Sequence, residues 1–337
     1  MSRRLFLGGS LSAILLGGLA ACSGKEEKPA PTPEPSPAAA FPVTVEHRYG
    51  ETTIKAPPQR IVVVGFTEQD ALLALGVAPI ATTTATWASD EAYNIYPWAK
   101  DKLGDAKPTV LDSTEGLQVD QIKDLKPDLI LGTNAGLSKA DYTALSKIAP
   151  TIANSGASGS DFYEPWAIQT EVIGEAVGKA PEAKKLIADL NQRFADAKVA
   201  HPQFQGVTAA FVQAPYTDGS VIAWPAGLSS DFLSDLGFVI PTSLNKFVDK
   251  ETLQAEIPAE ETKVLNDAKI LVWGNDGADD EADIRADKVI SQLNAMKEGR
   301  AIFTGGTVTT AIYFGTILSV PYVLDAVVPE LERVVPA

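Results

Sequence analysis

The side chains in this sequence best suited to hold a small molecule are aromatic. Trp87, Tyr93, Tyr96 and Trp98 fall in a loop after a predicted strand, and Phe162, Tyr163 and Trp166 precede a helical pattern. Tyr216 and Trp224 follow a later strand, Trp273 ends another, and Tyr313 lies in a predicted loop near the end. Ligands in open α/β lobes sit beyond the carboxyl ends of strands, so these are candidate ligand-binding positions. Flat apolar rings with an N–H or O–H tip suit a bulky amphiphilic ligand carrying a ring of oxygen acceptors. Large aromatics also fill cores, so only part of the set is expected to touch ligand.

Other chemistries find little support. The chain has two histidines, His47 and His201, and one cysteine, Cys22, far apart in sequence, so no direct metal site is expected. Asp279, Asp280, Glu281 and Asp283 lack the spacing and glycine of a calcium loop. Gly156-Ala157-Ser158-Gly159-Ser160 approaches G-x-S-x-G, but Ser160 replaces the last glycine and no histidine stands near it in sequence. No G-x-x-x-x-G-K-[ST] phosphate loop occurs, so no catalytic cofactor or ATPase activity is expected, and the chain reads as a non-enzyme. With 28 basic against 43 acidic residues the net charge is −15. Such an acidic body argues against nucleic acid.

Pro181–Val199 predicts the element that organises the rest. Ala183, Leu186, Ile187, Leu190, Phe194 and Ala197 recur at helical spacing, Pro181 and Glu182 suit the first turn, and Pro202 stops the pattern. At 1.5 Å per residue the helix spans roughly 30 Å. On either side the chain alternates short β runs with helical patterns, which indicates parallel sheets covered by helices. Before the helix the strands include Ile61–Phe66 and Asp128–Gly132; after it they include Val207–Val212, Lys269–Trp273 and Ala301–Thr304. Helices are predicted over Ser229–Leu236 and Lys288–Met296. Ala74–Val77 echoes Asp235–Phe238, and Pro127–Leu131 echoes Ala268–Val272, as a duplicated lobe would.

At the other end, Leu5–Ala21 is apolar, free of acids and preceded by Arg3 and Arg4, the pattern of a secretory signal. Leu19-Ala20-Ala21-Cys22 resembles a bacterial lipobox, which implies cleavage before Cys22 and its lipidation. Ser2–Leu7 resembles a twin-arginine motif, leaving Sec or twin-arginine export open. Loss of Arg3 and Arg4 with the signal carries the net charge from −15 to −17. Prolines at 29, 31, 33, 35 and 37 then predict an extended, semi-stiff tether.

Phe41–Gly76, Leu125–Ile130, Leu236-Gly237-Phe238 and Leu318–Tyr322, in that order, resemble the ferric-siderophore and vitamin B12 class of substrate-binding proteins that serve ABC importers. The resemblance covers nearly all of the chain after the tether. It implies two Rossmann-like α/β lobes joined by one long interlobe helix, a periplasmic binding protein-like fold, with ligand held between the lobes. The expected organisation is a signal peptide over 1–21, a lipidated proline-rich tether over 22–40, an N-terminal lobe over 41–180, the helix over 181–200 and a C-terminal lobe over 201–337. The expected location is the extracytoplasmic face of the bacterial cell membrane, held by the lipid anchor.

Such a protein would deliver its cargo, as a monomer, to an ABC permease dimer with a cytoplasmic ATPase. The resemblance places the permease-docking acids at Asp120, where glutamate is more usual, and at Glu260 or Glu261. Arginines after the signal are few and scattered, at 48, 60, 193, 285, 300 and 333, with Arg285 the best cleft candidate in a predicted loop. Polyanionic catecholate complexes need clustered arginines to offset desolvation, so a hydroxamate-type iron(III) siderophore is expected, its iron bound through the chelator. Haem or cobalamin is the alternative within the family; a secreted hydrolase or a scaffold lipoprotein is the alternative outside it.

Overall fold

Five short apolar runs on each side of a long helix become the strands of two sheets. The computed structural model describes residues 41–84, 92–114, 116–217, 220–227, 229–250, 252–275 and 278–336, without the side chains of 214–217, 278 and 279. The expected signal peptide, Cys22 and the tether, together with Trp87, lie outside the described residues. Ala38–Ala337 forms one compact unit. Among the described residues no helix is long and apolar enough to cross a membrane.

The chain enters through an antiparallel hairpin, β1 (Val43–His47) and β2 (Gly50–Ile54). The first lobe then reads β3 (Ile61–Val63), α1 (Glu68–Ala74), β4 (Ala81–Thr84), α2 (Lys100–Leu103), β5 (Thr109–Asp112), α3 (Val119–Asp124), β6 (Leu129–Gly132), α4 (Lys139–Leu145), β7 (Thr151–Ala153) and α5 (Trp166–Ala176). Its sheet is all parallel in the order β5-β4-β3-β6-β7. β3 and β6, at its centre, are fully buried along their length. That is why they read as continuous apolar runs rather than alternating ones.

The connecting helix α6 (Ala180–Ala200) carries Pro181 and Glu182 in its first turn and buries Ala183, Leu190 and Phe194. Leu186, Ile187 and Ala197 pack half-buried against the same core, so the periodic stripe is the packed face. The second lobe follows as β8 (Ala209–Thr217), β9 (Ser220–Ala223), α7 (Asp231–Asp235), β10 (Ala255–Pro258), β11 (Ile270–Gly274), α8 (Ala278–Ala286), α9 (Asn294–Lys297), β12 (Ala301–Phe303), α10 (Gly305–Phe314) and α11 (Ser319–Val334). Its order is β10-β9-β8-β11-β12, parallel among β8, β11 and β12 and antiparallel at β9 and β10. The fold is thus two α/β lobes joined by one long helix.

Three local expectations are corrected. The helix expected over Lys288–Met296 is split into a 3-10 turn at Ile290–Gln292 and the short α9, with Leu293 extended between them. Asp287 Oδ1 caps the first turn by accepting the amides of Val289 and Ile290, but Asn266 Oδ1 takes the Asn294 amide, which a continuous helix would have bonded to the Ile290 carbonyl. Arg285, expected in a loop, lies on α8. Tyr313, also expected in a loop, lies on α10.

Candidate ligand-binding cleft

The first sheet reverses its winding between β3 and β6, because β4 and β5 extend it on one side and β6 and β7 on the other. The carboxyl ends of two strands that diverge in this way leave a crevice. Val64, Phe66 and Thr67 follow β3 into it, Asn134 and Ala135 follow β6, and Asp112 to Thr114 close β5. The second lobe supplies Gln213 of β8, Trp224 just past β9, and Thr310 and Tyr313 of α10. Between the two walls lies a cleft of about 1050 Å³, large enough for a bulky ligand.

A buried polar network holds the floor. Glu68, the first residue of α1, accepts the Thr67 amide at 3.1 Å, the Asn134 amide at 2.7 Å and the Thr133 hydroxyl at 3.2 Å. Gln169 Nε2 on α5 donates to the hydroxyls of Thr67 and Thr133, and Asn134 Nδ2 donates to Thr67. Burial pushes the Glu68 carboxyl up, opposed by these donors. The network locks the β3–α1 and β6 turns together, so the first-lobe wall is pre-set.

On the opposite wall the rings of Trp224 and Tyr313 lie 5.2 Å apart, with Phe211 behind Trp224 at 5.0 Å. Tyr163 lines the cleft from the loop before α5, its hydroxyl driven upward in pKa by burial and by the nearby Asp231 and Asp235 carboxylates. Phe162 beside it is 63% exposed at the mouth.

The structure therefore brings Tyr163, Trp224 and Tyr313 of the expected set to one cavity. Others it holds elsewhere. Trp273 is fully buried in β11 and Trp166 is buried at the start of α5. Tyr96 and Trp98 stack at 4.8 Å and pack edge-on against Phe314, and Tyr93 packs with Leu73, Ile95 and Ala99. A strand-end position does not fix which face a side chain takes, because successive side chains alternate. Tyr216 is in β8, with its side chain outside the described residues. Arg285 bonds Glu281 and stacks 4.2 Å over Phe303, away from the cleft. Asp120, Glu260 and Glu261 are exposed on their lobes, with Glu261 3.6 Å from Lys246.

The wall also contains residues that the sequence reading passed over: Thr67, Asn134, Gln118, Gln213, Gln254 and Thr310. Their signal was present in Leu129–Asn134, where a buried strand ends in Gly132-Thr133-Asn134, polar residues placed where a strand opens into a crevice.

Charge is the cleft's most selective property. Among the described residues that line it there is no lysine, arginine or histidine, and Asp112 and Asp141 are its charged groups. The Thr114 hydroxyl and amide hold Asp112 below the usual carboxylate range. The residues at 85–91, 115, 214–219, 228, 251 and 276–279 include no basic type. The six described arginines are engaged elsewhere: Arg48 with Asp161, Arg193 with Asp325, Arg285 with Glu281, Arg300 with Glu298, Arg333 with Glu330, and Arg60 with the Leu125 and Lys126 carbonyls. Among the described residues no three His, Cys, Asp or Glu side chains gather into a metal-holding group.

Comparison with known proteins places this geometry. The family described as Periplasmic binding protein matches residues 61–307. The probable siderophore-binding lipoprotein YfiY of Bacillus subtilis is 28% identical over 293 residues, covering 84% of this chain and 85% of that protein. A periplasmic solute binding protein from Mycobacterium smegmatis superposes with a TM-score of 0.80 at 42% identity, covering 87% of this chain and 99% of the other. PiaA of Streptococcus pneumoniae, solved in complex with ferrichrome, superposes with a TM-score of 0.74 at 25% identity over 87% and 98% of the two chains.

Proposed function

The chain belongs to the periplasmic binding protein family, and from that premise we propose that it captures an iron(III) siderophore between its lobes and delivers it to an ABC permease. It is a binding protein rather than an enzyme. The cargo is a hydroxamate-type chelate, neutral or cationic, with iron held by the chelator alone. One observation carries this choice: the described wall of the cleft has two carboxylates and no basic side chain. A catecholate or citrate complex would bring several negative charges into a desolvated site with nothing to pair them, a cost of several kcal/mol per unpaired ion. The Trp224–Tyr313 face and the amide-rich opposite wall suit an uncharged, amphiphilic body. The designations of the Bacillus and Streptococcus relatives agree with an iron chelate as cargo.

The same reading places the mature protein at the extracytoplasmic face of the membrane, anchored through Cys22. Asp120 and Glu260 or Glu261, one site on each lobe, are the surfaces that meet the permease. Tryptophan fluorescence tests the cargo. Ferrioxamine and ferrichrome complexes are expected to quench at sub-micromolar concentration, and ferric dicitrate and ferric enterobactin are not. Quenching by the anionic chelates alone overturns the hydroxamate assignment.

A further inference from the structure

A buried bond between α1 and the corner between α10 and α11 links the lobes without running through α6. Asp70, on α1 of the first lobe, is completely buried. Its Oδ2 accepts the Thr316 hydroxyl at 2.6 Å, from the second lobe, and the Trp98 indole N–H at 2.7 Å. Thr316 is the corner residue between α10 and α11. Its hydroxyl oxygen in turn accepts the Ser319 amide at 2.9 Å and the Leu318 amide at 3.3 Å, while its own amide donates to the Ser319 hydroxyl at 2.8 Å. A carboxylate of one lobe thus reaches, through one hydroxyl, the amino end of the 16-residue helix that closes the other. Negative charge is stabilised there.

Spacing ties this link to the cleft. Thr67, three residues before Asp70, lines the first-lobe wall, and Tyr313, three residues before Thr316, lines the second. On the first-lobe side this is about one helical turn along α1, and on the second-lobe side Tyr313 in the last turn of α10 is joined to Thr316 through Phe314 and Gly315. Gly315, at φ 52 and ψ 49, makes the left-handed corner that lets Thr316 turn back from the end of α10. Phe314 wedges against Tyr96 and Trp98 on the same side, with ring centroids at 4.7 and 5.4 Å.

We infer that Asp70 is a positioning residue for ligand binding, holding the Thr310–Tyr313 wall of α10 against the Thr67 wall through Thr316, and that its protonation loosens this hold and speeds ligand release. The inference rests on the proposed cleft function, but part of its test does not. Burial lifts the Asp70 carboxyl from 3.8 to about 6 against the pull of its two donors. No cation faces it. On its own helix Glu68 is bonded to Thr67, Thr133 and Asn134. The 92–98 segment offers Tyr93, Tyr96 and Trp98, and α2 beyond it carries Lys100, Asp101 and Lys102 on its exposed surface. Helix α5 contributes exposed Glu171 and half-buried Glu175, and α11 offers Tyr322 and Asp325, the latter paired with Arg193. Below about pH 6 the two charge-assisted bonds become ordinary ones, which are roughly half as strong.

The tie and the overall stability respond to pH with opposite sign. Between 3.8 and about 6 the folded chain keeps a proton on Asp70 that the unfolded chain has released. Asp70 therefore makes global stability fall as pH rises through that window, while the tie strengthens.

The test uses the mature chain, Thr316→Val and Asp70→Asn, with hydrogen exchange at the Ser319 amide and stopped-flow release of ferrioxamine B from pH 5 to 8. Thr316→Val is expected to raise Ser319 exchange about tenfold at pH 7.5, since it removes the hydroxyl that accepts this amide and donates to Asp70, and to speed chelate release severalfold. Wild type is expected to move toward that behaviour at pH 5, after correction for intrinsic exchange, and Asp70→Asn to show neither the exchange slope nor its share of the stability slope. Faster Ser319 exchange with unchanged release in Thr316→Val would make the bond structural only and overturn the inference. So would equal pH slopes in wild type and Asp70→Asn. If wild type binds no ferric chelate, the cargo reading fails, while exchange at Ser319 and the stability slopes still decide whether the tie exists and titrates.

Discussion

Two side chains of the first lobe show how position within the fold separates binding from stability. Phe162 stands 63% exposed at the mouth of the cleft, so its ring supports little of the core but is well placed to cover a ligand. Phe162→Ala is expected to weaken chelate binding about tenfold, near the 1.4 kcal/mol that a partly buried aromatic contact supplies. Its urea midpoint should stay within about 0.5 kcal/mol of wild type; isothermal titration and chemical denaturation together check the pair. His47 works the other way. The Tyr49 amide donates to its Nδ1 at 3.3 Å, so the ring proton sits on Nε2 and is given to the Thr52 hydroxyl at 3.0 Å, which donates to the Thr151 carbonyl at 2.8 Å. Burial, reinforced by Lys139, holds its pKa below 6.5. The folded chain keeps this ring neutral where the unfolded chain would protonate it, so its contribution is complete above pH 6.5 and is lost as pH falls from there toward the depressed value. Urea midpoints from pH 7.5 to 5.5 should therefore fall further in wild type than in His47→Gln. Because Asp70 is present in both proteins, its opposing slope cancels in their difference, which isolates the histidine.

Between the residues and the lobes stand the elements, and α5 and α6 pack closely against each other. A Cβ built on Gly174 would lie 2.4 Å from Cβ of Ala183, so the two helices approach as closely as the absence of one methyl group allows. Gly174→Ala should cost about 1–3 kcal/mol, the usual penalty of overpacking, despite the higher helix propensity of alanine; a urea titration measures it. Helix α6 itself was legible in the sequence because a single amphipathic helix writes its packed face as a 3.6-residue period, and Ala183, Leu190 and Phe194 carried it. The central strands were legible for the same kind of reason, as uninterrupted apolar runs. The cleft was legible only in outline. Thr67, Asn134 and Trp224 follow strands and line the cleft, but Trp98 and Trp273 occupy similar positions in the chain and face into packed interior. Which way such a side chain turns depends on partners distant in sequence, as Trp98 depends on Asp70 and Phe314. The α10–α11 corner was the least visible of all, because its role is set by a bond between residues 70 and 316.

At the scale of the whole molecule, α6 and α11 brace the lobes along one side. Arg193 of α6 pairs with Asp325 of α11, and His201, just past α6, lies 3.2 Å from Glu332. An α-helix resists bending because every turn of its hydrogen-bond ladder must distort together, and the Asp70–Thr316 bond adds a second restraint between the lobes. Loading with chelate should therefore change the distance between spin labels on the two lobes by only about 1–2 Å, the scale of pre-organised binding; pulsed electron resonance would read a hinge closure as a far larger shift. In the proposed delivery to a permease, lobes that keep their spacing would present two fixed acidic points, Asp120 in the first turn of α3 and Glu260 with Glu261 just after β10. Their exposure means that charge reversal there leaves the core untouched. Asp120→Lys combined with Glu260→Lys and Glu261→Lys should leave chelate affinity within about twofold of wild type, since interface mutations away from the ligand add little to its binding, and should abolish uptake of radioactive iron by cells. Reversal on one lobe alone should reduce uptake less than reversal on both, because one correctly paired lobe still contributes to docking while like charges repel at the other. Uptake unchanged in the combined variant would remove these three acids from the permease contact and leave the cleft assignment standing.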